Sequence, residues 1–271
     1  MSIGADTALI AGSGLLPALL KGAAPDLLIC EMIGAPCDLE GDHLRFRIER
    51  LVPFLDELTD RGIKRVVFAG AMQRPAIDPE QFDPRSAQLV PRLAMAMQAG
   101  DDATLRAVIE LFEEWEFEVI GAHEIAPDLL PAEGVLCGTP SAVDEHDAQR
   151  GAEIVSALGA SDIGQGAVVA RGLCVAVETL PGTDAMLEFV RYHKGLRADL
   201  KGLKGVFYKA PKPGQDRRVD LPAIGVQTVA NAAAAGLSGI AFEAGGVMLL
   251  DRAAVVEAAE AAGLFLWACA P

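Results

Sequence analysis

Aromatic side chains are scarce in this sequence, at 5% of 271 residues, although 51% are hydrophobic. The apolar mass therefore comes from Ala, Val, Leu and Ile, a mixture that suits helices packed on buried strands. Long hydrophobic runs are lacking as well. None approaches the roughly 20 residues needed to cross a bilayer. The opening MSIGADTALIAGSG has no basic n-region of the signal-peptide kind, so a cytoplasmic location is expected. The five cysteines, Cys30, Cys37, Cys137, Cys174 and Cys269, form no CxxC pair. The spacing of the usual zinc sites is thus missing, and buried free thiols are the expectation. Positive charge is also short: 23 basic against 38 acidic residues give a formal charge of −15. A phosphate backbone needs a basic field, so no nucleic acid partner is expected.

What is present is an alternation of strand-like and helix-like segments. TALIAG, DLLICEMIG, KRVVFAG and FEVIGAHE read as strands. Between them lie helical patterns, such as Ile48, Leu51, Val52, Leu55 and Leu58 before the stop at Gly62, and helices over 86–98 and 102–115. Strands separated by helices predict a mostly parallel sheet over residues 1–126. Residues 127–140 hold Pro127, Pro131 and Pro140 without a clean period and read as a linker. Residues 141–271 read as a second, mixed α/β domain. GAVVARGLCVAVETL predicts a hairpin turning at Arg171-Gly172, and GIAFEAGGVMLLD predicts another.

Several places could hold an anion. Gly12 and Ser13 stand where a strand enters a helix, although Pro17 replaces the third glycine of the dinucleotide fingerprint. An ordinary tight turn is the other reading. Gly70 ends the third strand, with Gln73 and Arg74 after it, where ligands gather in open parallel sheets. Asp101 and Asp102 open a helix, where one of them serves equally as an N-cap. His123 beside Glu124 is either a metal pair or an ordinary hydrogen-bonding histidine. Glu178, Thr183 and Asp184 flank a helix start and suit a sugar phosphate or a hydrated cation as well as a cap.

The densest cluster is FYKAPKPGQDRRVDLPAIG. Between Lys201 and Arg218 six basic residues face one acid, against the trend of the whole chain. Pro211, Pro213 and Pro222 exclude regular helix and stiffen the loop. Lys209, Lys212 and Arg218 could neutralise phosphate oxygens, and Gln215 could add a polar contact. Asp220 could bind Mg²⁺ or orient or deprotonate water. A solvated loop is the bland alternative.

LIAGSGLLP, FAGAMQRP, GDDATLR, GAHE, DIGQGAVV (which contains Gln165), VETLPGTDAML, KAPKPGQDRRVDLPAIG and GIAFEAG occur in that order. Together they resemble the metal-dependent UDP-2,3-diacylglucosamine diphosphatases of lipid A biosynthesis, the family unrelated to calcineurin-like phosphoesterases. The resemblance implies a Rossmann-like N-terminal domain, a C-terminal α/β domain of unusual fold, and substrate held in the cleft between them. It implies Mg²⁺-dependent hydrolysis to UMP and 2,3-diacylglucosamine 1-phosphate, with water attacking the sugar-side phosphorus. Asp220 matches the aspartate whose loss disables such enzymes, and Thr183 and Asp184 fall where the family contacts substrate. The ligands expected for Mg²⁺ are Asp220, Asp184 and Glu178, although the family pattern does not assign them individually. Gly214 stands where a larger residue is expected and would loosen the loop.

Peripheral membrane contact and a homodimer are further expectations, since the substrate is a lipid and no anchor is visible. Two rival readings are a nucleotide-dependent oxidoreductase built on the IAGSG turn and a non-catalytic carrier of lipid or nucleotide sugar. The first lacks a glycine; the second has no use for the charges of residues 209–220.

Overall fold

The first apolar run, Thr7–Ala11, forms strand β1 and is buried along its whole length. A computed structural model describes residues 3–72, 76–195 and 204–271, without the side chains of Ala99, Asp101 and Asp102. Burial on both faces is what the central strand of a parallel sheet requires, because helices cover each side. β2 (Leu28–Met32), β3 (Leu44–Phe46), β4 (Arg65–Ala69) and β5 (Glu118–Ile120) complete this sheet. Its order is β3-β2-β1-β4-β5, with every pair parallel, the arrangement of a doubly wound α/β fold. Helices α1 (Leu16–Ala23), α2 (Leu51–Asp60), α3 (Pro84–Ala87), α4 (Val90–Ala99), α5 (Asp101–Glu114) and α6 (Ala122–Ile125) accompany these strands. On α2 the apolar spacing does its expected work, burying Leu51, Val52, Leu55 and Leu58. β3 has only three residues, too few for an alternating pattern to show.

The chain divides into two compact units, Met1–Pro127 with Asp216–Asp220, and Asp128–Gln215 with Leu221–Pro271. Residues 127–140, expected as a linker, contain a strand of the second unit, β6 (Gly134–Cys137). The prolines lie outside it, which is why the pattern looked structureless. Its companions are β7 (Gly166–Ala170), β8 (Leu173–Val177), β9 (Val206–Lys209), β11 (Gly239–Glu243) and β13 (Phe265–Cys269). They run in the order β6-β13-β11-β9-β7-β8, parallel from β13 to β9 and antiparallel at β6, β7 and β8. The mixed sheet expected for this half is thus present.

Helix α7 (Ala142–Ala160) packs closely on β9, where Gly151 leaves room: a Cβ there would come within 2.5 Å of the Tyr208 Cβ. α8 (Gly182–Tyr192), α9 (Val226–Ala234) and α10 (Arg252–Ala262) contribute to another apolar cluster with Val168, Phe207, Ile240 and Phe242.

The predicted hairpin at residues 239–251 does not form. β11 is held by β9 on one side and β13 on the other, so neither edge is open to the chain that follows. Met248–Leu249 (β12) pairs instead with Ala223–Ile224 (β10), in a separate parallel pair. The hairpin β7–β8 does form, with Arg171 at φ 53 and Gly172 at φ 74 in the left-handed region its turn needs. Asp147 of α7 holds that turn. The residue is 1% exposed, and its carboxylate accepts from Arg171 N at 2.9 Å and Gly172 N at 2.6 Å. Replacing Asp147 by Ala leaves two backbone donors without their acceptor, and should cost about 2–4 kcal/mol. Urea unfolding measures this; an unchanged midpoint contradicts the assignment.

Candidate functional site

At one end of the second sheet the chain brings three polar side chains together. Lys209 is the last residue of β9 and pairs with Gly166 at the start of β7. Glu178 follows β8, and its N–H donates to Gly166 O at 2.8 Å. Two glycines permit this approach. A Cβ at Gly164 would meet Glu178 O at 2.1 Å, and one at Gly166 would meet Glu178 Oε2 at 2.7 Å and the Phe207 ring at 2.9 Å. Thr183 sits in the first turn of α8. Lys209 Nζ donates to Thr183 Oγ1 at 2.8 Å and to Ala223 O at 3.2 Å, and Thr183 Oγ1 donates on to Glu178 Oε2 at 3.0 Å. The hydroxyl direction is therefore fixed: it accepts from the ammonium and donates to the carboxylate. Lys209 is only 7% exposed, and an ammonium at that depth requires such partners.

Beside this cluster stand Asp184 and Gln165. Asp184 Oδ1 accepts from Asn231 Nδ2 at 2.8 Å, and Asn231 Oδ1 accepts from Gln227 Nε2 at 2.9 Å. Asn231 was not among the expected residues. Its signal was a pair of amides at i and i+4 on α9, where Thr228 is the one other polar residue. Gln165 donates to Gln215 Oε1 at 3.3 Å, and the same oxygen accepts from Lys212 N at 3.0 Å. Gly214, in this turn, has φ 78. That left-handed conformation favours glycine, so the residue fits the turn rather than loosening it.

Two expected phosphate ligands have carboxylate partners within the protein. Lys212 Nζ donates to Asp162 Oδ1 at 2.5 Å. Arg218 donates from Nη2 to Asp216 at 2.7 Å and from Nη1 to Glu113 at 2.6 Å, within the first unit. Its guanidinium is held more strongly protonated than usual, first by the Asp216 hydrogen bond and then by Glu113, while Asp216 is pushed below the ordinary carboxylate range by Arg218. Val219 is buried in the core of that unit. The segment Asp216–Asp220 is thus anchored by an ion-pair network and an apolar residue. Asp220 is exposed, with φ 55. A non-glycine residue held in the left-handed region is uncommon, although aspartate tolerates it better than most.

The first unit answers differently. Gly12 N donates to Ala69 O at 2.8 Å, and Ser13 and Ala71 exchange backbone hydrogen bonds at 3.0 and 2.9 Å. This stitches the carboxyl end of β1 to that of β4. Gly12 and Gly70 permit it, since a Cβ would meet Ala71 O at 2.4 Å or Ser13 O at 2.6 Å. Gly14 N donates to Asp38 Oδ2 at 2.7 Å. The three N–H groups of the glycine turn therefore have protein acceptors, one of them a carboxylate that repels phosphate. Of the two readings of Gly12 and Ser13, these bonds are those of a tight strand-to-helix turn. Gln73 lies outside the described residues. Asp101 and Asp102 begin α5, and their side chains are also outside the description. Glu124 accepts from Gly121 N at 2.7 Å as a cap of α6, whereas the buried Nδ1 of His123 has no hydrogen-bond partner among the described residues.

Among the described residues no group of three or more His, Cys, Asp or Glu side chains is placed to hold a metal ion. Glu178, Asp184 and Asp220 are oxygen donors of the type Mg²⁺ takes, but they do not form an all-protein cage. The cysteines are free thiols; Cys30 and Cys137 are buried as expected, whereas Cys174 is exposed. Burial raises the Cys30 thiol to about 12.

Comparison with known proteins agrees with this layout. Residues 6–129 match the model of the LpxI N-terminal domain, and residues 132–267 match that of the LpxI C-terminal domain. The chain is 39% identical over 282 aligned positions to the UDP-2,3-diacylglucosamine pyrophosphatase LpxI of Caulobacter vibrioides, covering 95% of each chain. The occupied glycine turn makes a prediction of its own. Titration with NADH or NADPH should give no saturable binding in the micromolar range by fluorescence, and tight binding would contradict the turn as described.

Proposed function

The chain belongs to the LpxI family, and from that premise we propose that it hydrolyses the diphosphate of UDP-2,3-diacylglucosamine to UMP and 2,3-diacylglucosamine 1-phosphate. The observation that carries the reading is the likeness to the Caulobacter pyrophosphatase along nearly the full length of both chains. The chemistry asks for fixed positive charge, donors for phosphate oxygens, and a carboxylate near water. Lys209 supplies the first. Its ammonium is already positioned by Thr183 and Ala223, so little reorganisation is needed when a diphosphate arrives. Thr183 and the first turn of α8 supply the second, with the helix N-terminus favouring anionic oxygen. Asp220 orients or deprotonates the attacking water. Glu178, Asp184 and Asp220 are the carboxylates that would hold Mg²⁺, which would neutralise charge and lower the pKa of water.

Among the described residues no helix is long and apolar enough to cross a membrane. A diacylated substrate then calls for peripheral contact, and the proposed setting is the cytoplasm at the inner membrane face. A homodimer belongs to the same proposal. Its support is one of the two edge strands of the second sheet, β8, where Leu173 and Cys174 are exposed.

Mass spectrometry of a reaction with UDP-2,3-diacylglucosamine tests the whole. UMP and the lipid phosphate are expected without EDTA and neither with it. Asp220→Ala should keep the fold and bind substrate while turnover falls more than about a hundredfold. Near-normal turnover in that variant removes Asp220 from the mechanism, and full activity in EDTA removes the metal.

A further inference from the structure

Helix α8 buries Met186, Leu187 and Val190 on one face. Its other side carries Ala185, Phe189 and Tyr192, at i, i+4 and i+7, a spacing that forms a continuous stripe. Phe189 is 50% exposed and Tyr192 71% exposed. In a chain with only two tyrosines this is a conspicuous use of one; the other, Tyr208, is buried. The rings are held in place. Phe189 lies 4.2 Å from the His193 ring, and the Arg191 guanidinium sits 5.2 Å from the Tyr192 centroid. Arg191, His193 and Lys194 are exposed around the C-terminal end of the stripe. The acid beside them, Glu188, lies 3.7 Å from Arg191 and is offset by it. In the turn before the helix, Leu180 is 96% exposed.

We propose that the Ala185–Phe189–Tyr192 stripe of α8 is the surface by which this protein rests on an anionic lipid bilayer. Amphipathic aromatics beside cationic side chains suit the bilayer interface, where the rings enter the headgroup region and the cations meet lipid phosphates. Exposed basic residues on a chain of formal charge −15 oppose its general repulsion from such a surface. The inference rests on the proposed diacylated substrate for its purpose, and on α8 alone for its location.

Flotation of the full chain tests it, using vesicles of phosphatidylglycerol with phosphatidylethanolamine and, separately, of phosphatidylcholine. The parent protein should float with the anionic vesicles. Phe189→Ser with Tyr192→Ser should weaken that about tenfold, and Arg191→Gln with Lys194→Gln should weaken it chiefly on anionic vesicles. Turnover of detergent-dispersed substrate should persist in both variants. Failure of the parent to float, or equal flotation of parent and aromatic variant, overturns the proposal. A molar mass that halves in the aromatic variant while flotation is unchanged also overturns it, and makes the stripe a seam between two copies. Absence of turnover in the parent protein sinks the functional reading alone, because flotation reads the surface independently.

Discussion

The candidate site depends on a buried cation. Lys209 ends a strand whose four residues are all buried, and its ammonium is held by the Thr183 hydroxyl and the Ala223 carbonyl. Moving an ammonium out of water is unfavourable by several kcal/mol unless its donors are met. The surrounding architecture meets them. β7 and β9 pair so that Gly166 lies opposite Lys209, the backbone of Glu178 bonds to Gly166, and α8 begins where its first turn places Thr183 between the two charges. Fixed positive charge of this kind is what the proposed diphosphate substrate would need.

That constraint explains local features that would otherwise look unrelated. Gly164 and Gly166 lack side chains because the backbone and carboxylate of Glu178 occupy the space where a Cβ would be. Asn231 fixes Asp184 from α9, so a second carboxylate is oriented near the start of the same helix. The first unit uses glycine for a different end. Gly12 and Gly70 let two strand ends join, and Asp38 takes the N–H of Gly14. A Rossmann-like sheet is present without a vacant dinucleotide turn. Fold and site chemistry are separable here.

Much of the fold was legible because it rests on local pattern. The buried run TALIAG, the helical spacing of α2 and the Arg171-Gly172 turn each carry their signal within a few residues. β12 and β6 were not legible in that way. The partner of Met248–Leu249 is chosen by β11 having both edges occupied, a fact about the assembled sheet. Within the candidate site, Glu178, Thr183, Asp184 and Lys209 are legible as polar residues at strand ends and a helix start, and the structure brings Glu178, Thr183 and Lys209 together. The pairing of Lys212 and Arg218 with protein carboxylates could not be read locally. Asp162 is 50 positions from Lys212, and Glu113 is 105 from Arg218. A basic run marks where charge is concentrated in the sequence and says nothing about which charges already have partners.

The most direct measurement is kcat for Lys209→Met, made beside an unfolding curve of the same variant. Met keeps the length and apolar stem of the side chain while removing the ammonium. The account predicts a folded protein whose kcat falls about a hundredfold or more, since the cation acts on charge developing at the diphosphate. A folded variant with unchanged kcat would contradict it.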